Sequence, residues 1–377
     1  MLGVRLQVIL LSIFVVLAGA HPVLSAENCT YSKAVCDTRS VVFAIKAFDP
    51  LASAVRIGPE LLVTSRHAIA DEVDVRVNLV DKAPLTAEVV PSSYPGDIIL
   101  LKVPGLPDGS ELQPARIDLL EKVYSVGADV SRGKIRVYPP GKIMFLPAKG
   151  FPLARLHHDA YSQPGNSGGA LINSSGHLVG IVTSGGDGRY EAIPLQAIEA
   201  LKKASGSKHR QRSREISGAI RICVLKLEET RSIQRRRLAI EEAKALKTSC
   251  RRSQNRQLMD LAAQMLGLTG HVESSIQVFQ KSLKQDPYAL NTRIGLLVSL
   301  SLGRRHENSL PHLRWLLDNG VNDLQVLRLA IQSGVWGGDK PLAERAFRQL
   351  KEINPRMAPT AKRFLTNPPP KPKTQAR

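Results

Sequence analysis

Two signals are missing from this 377-residue chain: a long apolar run and closely spaced cysteines. The run Val8–Ala20 is shorter than the roughly 20 residues that a membrane-spanning helix needs, and no later stretch approaches its length. No two of the four cysteines lie two to four residues apart, as zinc ligands usually do. With 43% hydrophobic and 23% charged residues, the composition also excludes wholesale disorder. The sequence predicts soluble globular domains without a metal or cofactor.

The first residues are typical of an export signal. Arg5 precedes the apolar run, and small residues follow it, so we expect a cleaved signal over residues 1–26 and a soluble, exported product. An even number of cysteines in an exported chain favours disulfide bonds. Cys29–Cys36 with Cys223–Cys250 is the simplest of three pairings, and the sequence does not choose among them.

The positive charge is confined to the second half of the chain. Residues 27–202 carry 18 Lys and Arg against 19 Asp and Glu, whereas residues 203–377 carry 33 against 14. Nearly all of the formal charge of +19 therefore lies beyond residue 203. A boundary near that residue, and an anionic partner for the second half, are both indicated.

Short β-branched runs broken by Gly, Pro, Asp and Ser occupy the first half. This pattern predicts an all-β domain, which we place at residues 27–201. The clearest runs are Val41–Phe48, Leu61–Thr64, Val73–Val80, Ile98–Val103, Lys134–Tyr138 and Leu178–Thr183. After Pro194 the apolar spacing becomes helical, so one helix is expected to close the domain.

The second half reads as helical and contains an internal repeat. Residues 202–218 are predicted to be a basic linker, 219–255 a helical segment and 356–377 a disordered tail rich in Pro and Lys. Gly270, Phe279 and Pro287 recur 68 residues later, at twice a 34-residue period, as Gly338, Phe347 and Pro355. Over residues 256–355 this period resembles tetratricopeptide repeats, whose concave face would bind a protein partner. An irregular helical bundle is the alternative.

Ser167 stands in the strongest chemical motif, Gly165-Asn-Ser167-Gly-Gly169. A nucleophilic serine needs a tight turn that exposes its hydroxyl, and glycines permit that geometry. The N–H groups of Gly165 and Ser167 are predicted to face a developing oxyanion. The hairpin that follows is predicted to turn at residues 174–176.

The serine needs a base, and His67 is the best candidate. It follows the apolar run Leu61–Thr64, whereas His177 falls in a predicted exposed hairpin. His157 and His158 cannot both face one site, because neighbouring residues of a strand point to opposite faces. A carboxylate must then orient the imidazole, and Asp97, immediately before an apolar strand, is the candidate.

The order His67, Asp97, Ser167, with spacings of 30 and 70 residues, resembles that of trypsin-like serine proteases. Residues 64–71, 96–102 and 165–171 are most similar to the bacterial heat-shock protease branch. The resemblance implies a double-barrel protease domain followed by an all-α repeat domain. It also implies that His67 is the general base, Asp97 its orienting partner and Ser167 the nucleophile of an acyl-enzyme mechanism.

The resemblance has limits that bear on specificity. That branch usually carries a peptide-binding PDZ domain, where this chain has predicted helical repeats. Tyr161 corresponds to the base of the primary pocket, with Thr183 to Gly185 as its wall. Because no acid stands at Tyr161, preference for Lys or Arg is disfavoured and a small or apolar side chain is expected.

Three hypotheses for function follow. The first is an exported, periplasmic or secreted, serine endopeptidase that acts on protein or peptide substrates and recruits partners through its repeats. The second is a catalytically latent scaffold. The third is weak binding to anionic surfaces through three cation-rich runs, Lys203–Arg214, Arg231–Arg237 and Arg251–Arg256. Since no aromatic residues are interleaved with these cations, specific nucleic-acid binding is not expected.

Overall fold

Antiparallel strands build the first half of the chain in a computed structural model that describes residues 29–131, 133–232 and 237–371. The predicted export signal, residues 1–26, lies outside the described residues. Helix α1 (Lys33–Asp37) and a 3-10 turn (Thr38–Val41) lead into the first strand. Within the described part, no helix has the length and apolar character needed to cross a membrane.

Six strands close the first barrel. They are β1 (Val42–Lys46), β2 (Ala52–Gly58), β3 (Leu61–Ser65), β4 (Asp74–Val77), β5 (Leu85–Val90) and β6 (Ile98–Lys102). The order around the barrel is β1-β2-β3-β6-β5-β4. In β4 the two valines are buried and the two polar residues are exposed, as expected for a strand with one face to the core.

A second barrel follows from seven strands. They are β7 (Lys122–Ala128), β8 (Ile135–Val137), β9 (Gly141–Phe145), β10 (Leu156–His158), β11 (Ala170–Asn173), β12 (Leu178–Gly186) and β13 (Arg189–Pro194). The sheet order is β11-β12-β13-β10-β9-β7-β8, and pairing of β11 with β7 closes six of these strands into a ring. The predicted double-barrel fold is confirmed. The one-turn helix α2 (Arg66–Ile69) follows β3, and α3 (Gln196–Lys203) ends this half where the spacing predicts a helix.

The second half is all helical in the described residues. Its helices are α4 (Arg210–Ser232), α5 (Ile240–Arg252), α6 (Arg256–Leu268), α7 (Val272–Gln285), α8 (Leu290–Leu302), α9 (His306–Asp318), α10 (Leu324–Gly337), α11 (Lys340–Ile353) and α12 (Ala358–Thr366). Helices α6, α8 and α10 begin 34 residues apart, and so do α7, α9 and α11. The helices therefore follow the period that the sequence indicates.

Three predictions differ from the structure. Most of the predicted linker 202–218 is helical, because α4 begins at Arg210 and buries Ile216 against the core shared by α5 and α6. The predicted disordered tail contains α12, whose Phe364 packs on the core formed by α8 to α11. Arg256, predicted among the cations for an anionic surface, is instead buried. Residues 233–236 of another such run lie outside the described residues.

One of the expected disulfide bonds is confirmed. Cys223 of α4 and Cys250 of α5 are bonded across a separation of 27 residues. Cys29 and Cys36 are also disulfide-bonded. The Cys223–Cys250 bond ties together the two helices that lead into the repeated helix pairs.

Candidate active site

His67 and Asp97 lie side by side because β3 and β6 are paired neighbours. Ser65, the last residue of β3, pairs with Ile98, the first of β6. The His67 backbone N–H donates to Asp97 Oδ1 at 3.0 Å, and the ring Nδ1 lies 2.7 Å from Oδ2. Both carboxylate oxygens thus form a hydrogen bond with the same histidine, and these two contacts fix the orientation of its ring.

Ser167 meets this pair from the second barrel. It lies three residues before β11, and its Oγ is 3.2 Å from His67 Nε2. The backbone N–H of Ser53, in β2, donates to the Ser167 carbonyl at 2.8 Å and joins the two barrels at this point. A hydroxyl, an imidazole and a carboxylate therefore stand in the hydrogen-bonded order that nucleophilic catalysis requires.

Glycines let the serine loop pass between the barrels. Gly168 has φ +84°, and a Cβ there would lie 2.1 Å from Ser53 O and 2.3 Å from Thr64 Oγ1. Gly165 has φ +97°. The Ser53 hydroxyl donates to the Gly165 carbonyl at 2.7 Å and accepts the Ala128 N–H at 2.8 Å. A buried serine on the first barrel therefore anchors the loop that presents Ser167.

The backbone N–H groups of Gly165 and Ser167 have no hydrogen-bond acceptor among the described residues. Their neighbours are paired: Asn166 N–H donates to Gln163 O at 3.1 Å and Gly168 N–H to Val182 O at 2.8 Å. Two backbone donors in the Ser167 loop are thus left without an acceptor among the described residues. A carbonyl oxygen that gains negative charge is the group such donors stabilise best.

Asp97 is held as a carboxylate in a buried position. Burial alone would raise its pKa, but the charge and hydrogen bond of His67 oppose this strongly. Arg155, with Nη2 4.0 Å from Oδ2, and the Thr183 hydroxyl, which donates to Oδ2 at 2.8 Å, add to the opposing effect. The net result lowers the pKa of Asp97 from 3.8 to about 2. The group is therefore ionised at neutral pH.

His67 has a raised pKa because its partner is charged. Burial acts to lower the pKa of the ring, and Asp97 outweighs this through its charge and its hydrogen bond. Asp49 raises the value further, while Arg155 lowers it. The imidazolium form is therefore stabilised relative to a free histidine, as a base that must carry a proton during a reaction requires.

The three predicted pocket residues occupy different surroundings. Tyr161 is 45% exposed, and its ring centroid lies 6.0 Å from that of Tyr138 and 6.1 Å from that of Tyr190. Thr183 is buried, and its carbonyl accepts the Ser167 hydroxyl at 3.3 Å. Gly185, farther along β12, is exposed. The structure thus brings Thr183 to Ser167 and sets Tyr161 in a group of aromatic rings.

Sequence reasoning missed three residues that touch or support this site. The sequence predicts Thr183 only as part of the pocket wall, yet its hydroxyl donates to Asp97. Arg155 and Ser53 lie far from the motifs along the chain. Only the uncommon placement of an arginine before the apolar start of β10 could have drawn attention to Arg155.

In the described ranges, no group of three or more His, Cys, Asp or Glu side chains is arranged to hold a metal ion.

Comparison with known proteins identifies the β half. Residues 52–181 match the trypsin-like peptidase domain. The chain is 33% identical over 136 residues to Protease Do-like 1, chloroplastic, of Arabidopsis thaliana, covering 33% of this chain and 30% of that protein. It is 31% identical over 159 residues to a probable periplasmic serine endoprotease DegP-like of Ectopseudomonas mendocina, covering 37% and 32%.

A third relative is the serine endoprotease DegS of Escherichia coli, 30% identical over 137 residues, with 32% of this chain and 36% of that protein covered. The chain thus spans about a third of the length of these curated relatives. Among solved structures, the Rv3671c protease from M. tuberculosis in its active form has a TM-score of 0.40 at 23% identity, over 46% of this chain and 85% of that one. The HtrA-type protease AlgW with tripeptide has a TM-score of 0.41 at 28% identity, over 45% and 62%.

Proposed function

We propose that this chain, whose residues 52–181 form a trypsin-like peptidase domain, is an exported serine endopeptidase. One observation carries the proposal. The atoms Ser167 Oγ, His67 Nε2, His67 Nδ1 and Asp97 Oδ2 form a continuous chain with contacts of 3.2 and 2.7 Å. The relatives' names, which call them serine endoproteases, agree with this chemistry.

In the proposed first step, Ser167 Oγ attacks the carbonyl carbon of a peptide bond while His67 Nε2 takes the hydroxyl proton. The carbonyl oxygen gains negative charge and accepts hydrogen bonds from the Gly165 and Ser167 N–H groups. His67 then gives the proton to the leaving nitrogen, the C–N bond breaks, and an acyl-enzyme remains. Water, deprotonated by His67, hydrolyses the ester and restores the serine.

Asp97 acts in this scheme by staying ionised. With a pKa of about 2, its carboxylate remains charged at neutral pH and accepts a hydrogen bond from the Nδ1–H group of His67. This contact selects the tautomer that leaves Nε2 free to accept the serine proton, and it stabilises the imidazolium formed when the proton moves.

We infer that the primary pocket takes a small or apolar side chain. Tyr161, Tyr138 and Tyr190 place ring surfaces near one another. By the resemblance to trypsin-like proteases, Tyr161 corresponds to the position where a Lys- or Arg-specific enzyme would need an acid. An apolar side chain packed against these rings would remove apolar surface from water, which is favourable.

The helical half would recruit polypeptide. A groove of about 460 Å³ runs from Ser184 to Gly186 of β12 along the inner faces of α6 and α8. A second groove, of about 440 Å³, continues between α8, α10 and α12. The two share the lining residues Val298, Leu302 and Gln325, so they adjoin. This path begins at Ser184, one residue beyond Thr183, whose carbonyl accepts the Ser167 hydroxyl. Its closeness to Ser167 supports tetratricopeptide-like recruitment of a protein partner or substrate.

Export to the periplasm, or secretion, agrees with the predicted signal over residues 1–26 and with the disulfide bond between Cys223 and Cys250. The Ectopseudomonas mendocina relative is named a probable periplasmic enzyme. We therefore place the proposed activity in that compartment.

A second role, weak binding to anionic surfaces, is supported by exposed cations near the start of α4. They are Lys203, Lys208, Arg210, Arg212 and Arg214. Retention on anionic lipid vesicles that falls steeply with added salt would support this role, because each released counterion adds to the salt dependence. Retention independent of salt would contradict it.

Labelling with a fluorophosphonate probe tests the proposed activity. The purified protein should label rapidly, and Ser167→Ala should abolish labelling. Ser174→Ala, which changes an exposed serine of the β11–β12 turn, should label like the unchanged protein and serves as the matched control. A folded protein that does not label would favour the alternative of a catalytically latent scaffold.

A further inference from the structure

A buried chain of charged side chains joins the helical half to the back of Asp97. Its first member is Arg155, immediately before β10. Arg155 Nη2 lies 4.0 Å from Asp97 Oδ2, while Nη1 donates to Glu191 Oε2 at 3.0 Å and to Ser184 Oγ at 2.6 Å. Arg155 is thus shared between the carboxylate beside His67 and a second carboxylate on β13.

The next members come from the helices. Arg256, the first residue of α6, donates through Nη2 to Glu191 Oε2 and through Nη1 to Thr292 Oγ1 at 3.2 Å. Asp286, at the end of α7, accepts the backbone N–H of Arg155 at 3.2 Å. Its Oδ2 also lies 3.7 Å from Arg256 Nη2. Arg256 therefore contacts the Glu191 carboxylate, and Asp286 contacts the backbone of Arg155.

The helical half also forms part of the wall directly behind the active site. A crevice of about 20 Å³ is lined by Asp97 and Arg155 from the barrels and by Arg256 from α6. Residues from Tyr31 onward form one compact unit, so these contacts belong to a single packed body.

Burial weakens the solvent screening of these charges, so their electrostatic interactions extend farther. The side chains of Arg155, Glu191, Arg256 and Asp286 are each no more than 6% exposed. Their interactions are therefore screened less than those of surface pairs. Among the described residues, Glu191 has two arginine partners, Arg155 and Arg256, so without Arg256 its charge would act on Arg155 alone. Arg256 thus keeps Arg155 available to the catalytic pair.

We propose that Arg256 and Asp286 are positioning residues for the proposed protease, acting on His67 and Asp97 through Arg155. The inference rests on the proposed function for its catalytic meaning. The helical half would then be a required part of the active site's electrostatic surroundings, in addition to any role in recruitment.

Other charged groups act on the same pair and stay unchanged in the test. His67 is influenced by Asp97, Asp49 and Arg155, and buried Arg66 acts on Asp97. The remaining titratable members of the buried cluster are His157, whose Nε2 lies 3.0 Å from Asp286 Oδ2, and Asp260, 3.7 Å from Arg256 Nη1.

The test follows the titration of the His67 ring by NMR in the full chain, with the pH profile of kcat/KM as a second readout. Arg256→Gln removes a cation, so the His67 pKa and the acid limb should move to higher pH. Asp286→Asn removes an anion with little change in shape, so both should move to lower pH. We expect shifts of about 0.3 to 1 unit in each direction. Arg256→Lys should leave the pKa near its original value.

Arg305→Gln is the matched control, because Arg305 pairs with Glu273 on the exposed surface of the helices. This variant should leave the His67 pKa and the acid limb of kcat/KM unchanged. A general loss of stability would not move the His67 pKa in opposite directions in Arg256→Gln and Asp286→Asn, so opposite shifts would support the proposal. If both variants fold and the His67 pKa does not move, or moves in the same direction in both, the proposal is overturned. If Arg256→Gln does not fold, the sign from Asp286→Asn decides. Because NMR reads His67 without turnover, an inactive protein would contradict the proposed function separately.

Discussion

The hydroxyl of Thr183 donates to Asp97 Oδ2 at 2.8 Å, across the boundary between the two barrels. Thr183 lies on β12 of the second barrel and Asp97 precedes β6 of the first. The carboxylate is therefore oriented by the barrel that carries Ser167 as well as by the one that carries His67. The alignment of the proposed catalytic groups therefore depends on how the two barrels pack against each other.

We expect Thr183→Val to lower kcat/KM by about tenfold, because a hydrogen bond to a charged group contributes about 1.5 kcal/mol or more. The matched variant Thr183→Ser keeps the hydroxyl and should retain most of the activity. Initial rates on a peptide substrate, with thermal melts to verify folding, measure both. Equal activity in the two variants would show that the hydroxyl does not orient Asp97.

Activity should be lost as the pH falls through a pKa above 6.5, since His67 must be neutral to accept a proton and its pKa is raised. The raised His67 pKa also affects the free energy of unfolding, with the opposite pH dependence. The stabilising contribution of His67 is full below about pH 6.5 and disappears as the pH rises through its pKa in the folded protein. Asp49→Asn should move the acid limb of kcat/KM to lower pH, because the Asp49 charge helps to raise the His67 pKa. A limb at or below 6.5 in the unchanged protein would contradict this prediction.

Acid should destabilise the protein between about pH 4 and pH 2. The pKa of Asp97 falls from 3.8 to about 2 on folding, so its contribution is present above 3.8 and is lost as the pH falls through 2. The expected loss is about 2 kcal/mol from this group. Denaturant unfolding at several pH values measures it, and Asp97→Asn should show a correspondingly flatter dependence.

Gly168→Ala should prevent the barrels from docking correctly. The new methyl group would meet Ser53 O and Thr64 Oγ1 at distances well below contact, and the φ of +84° adds strain. Gly188→Ala is the matched control, because φ there is +73° but nothing lies within 4 Å of the added carbon. We expect a cost of about 1 kcal/mol at Gly188 and a larger one, with loss of labelling, at Gly168. Similar melting temperatures would contradict this.

Much of the fold could be predicted from local patterns. Runs such as Leu61–Thr64 alternate or bury apolar residues over the lengths that strands need, and they correspond to β3 and its neighbours. The helices that begin at Arg256, Leu290 and Leu324 follow the 34-residue period. The order of His67, Asp97 and Ser167 identified the residues that the fold brings together, because their motifs are short and continuous.

Local patterns failed where distant residues decide the outcome. Residues 210–218 look like a solvated linker by composition, yet Ile216 packs against α5 and α6, and this packing stabilises the helix. Helix α12 lies within the segment predicted to be a disordered tail, and its Phe364 packs on the core formed by α8 to α11. The amino-acid composition of a segment does not show which distant residues the segment packs against.

The strands, the helical period and the identity of the proposed catalytic groups follow from the amino-acid sequence, since each depends on residues close together along the chain. The burial of Arg256 and the contact of Thr183 with Asp97 follow from tertiary packing. Arg256 contacts Glu191 from 65 residues away, and Thr183 contacts Asp97 from 86. A buried charge is stable only beside its partner, and the partner is chosen by how the barrels and helices pack.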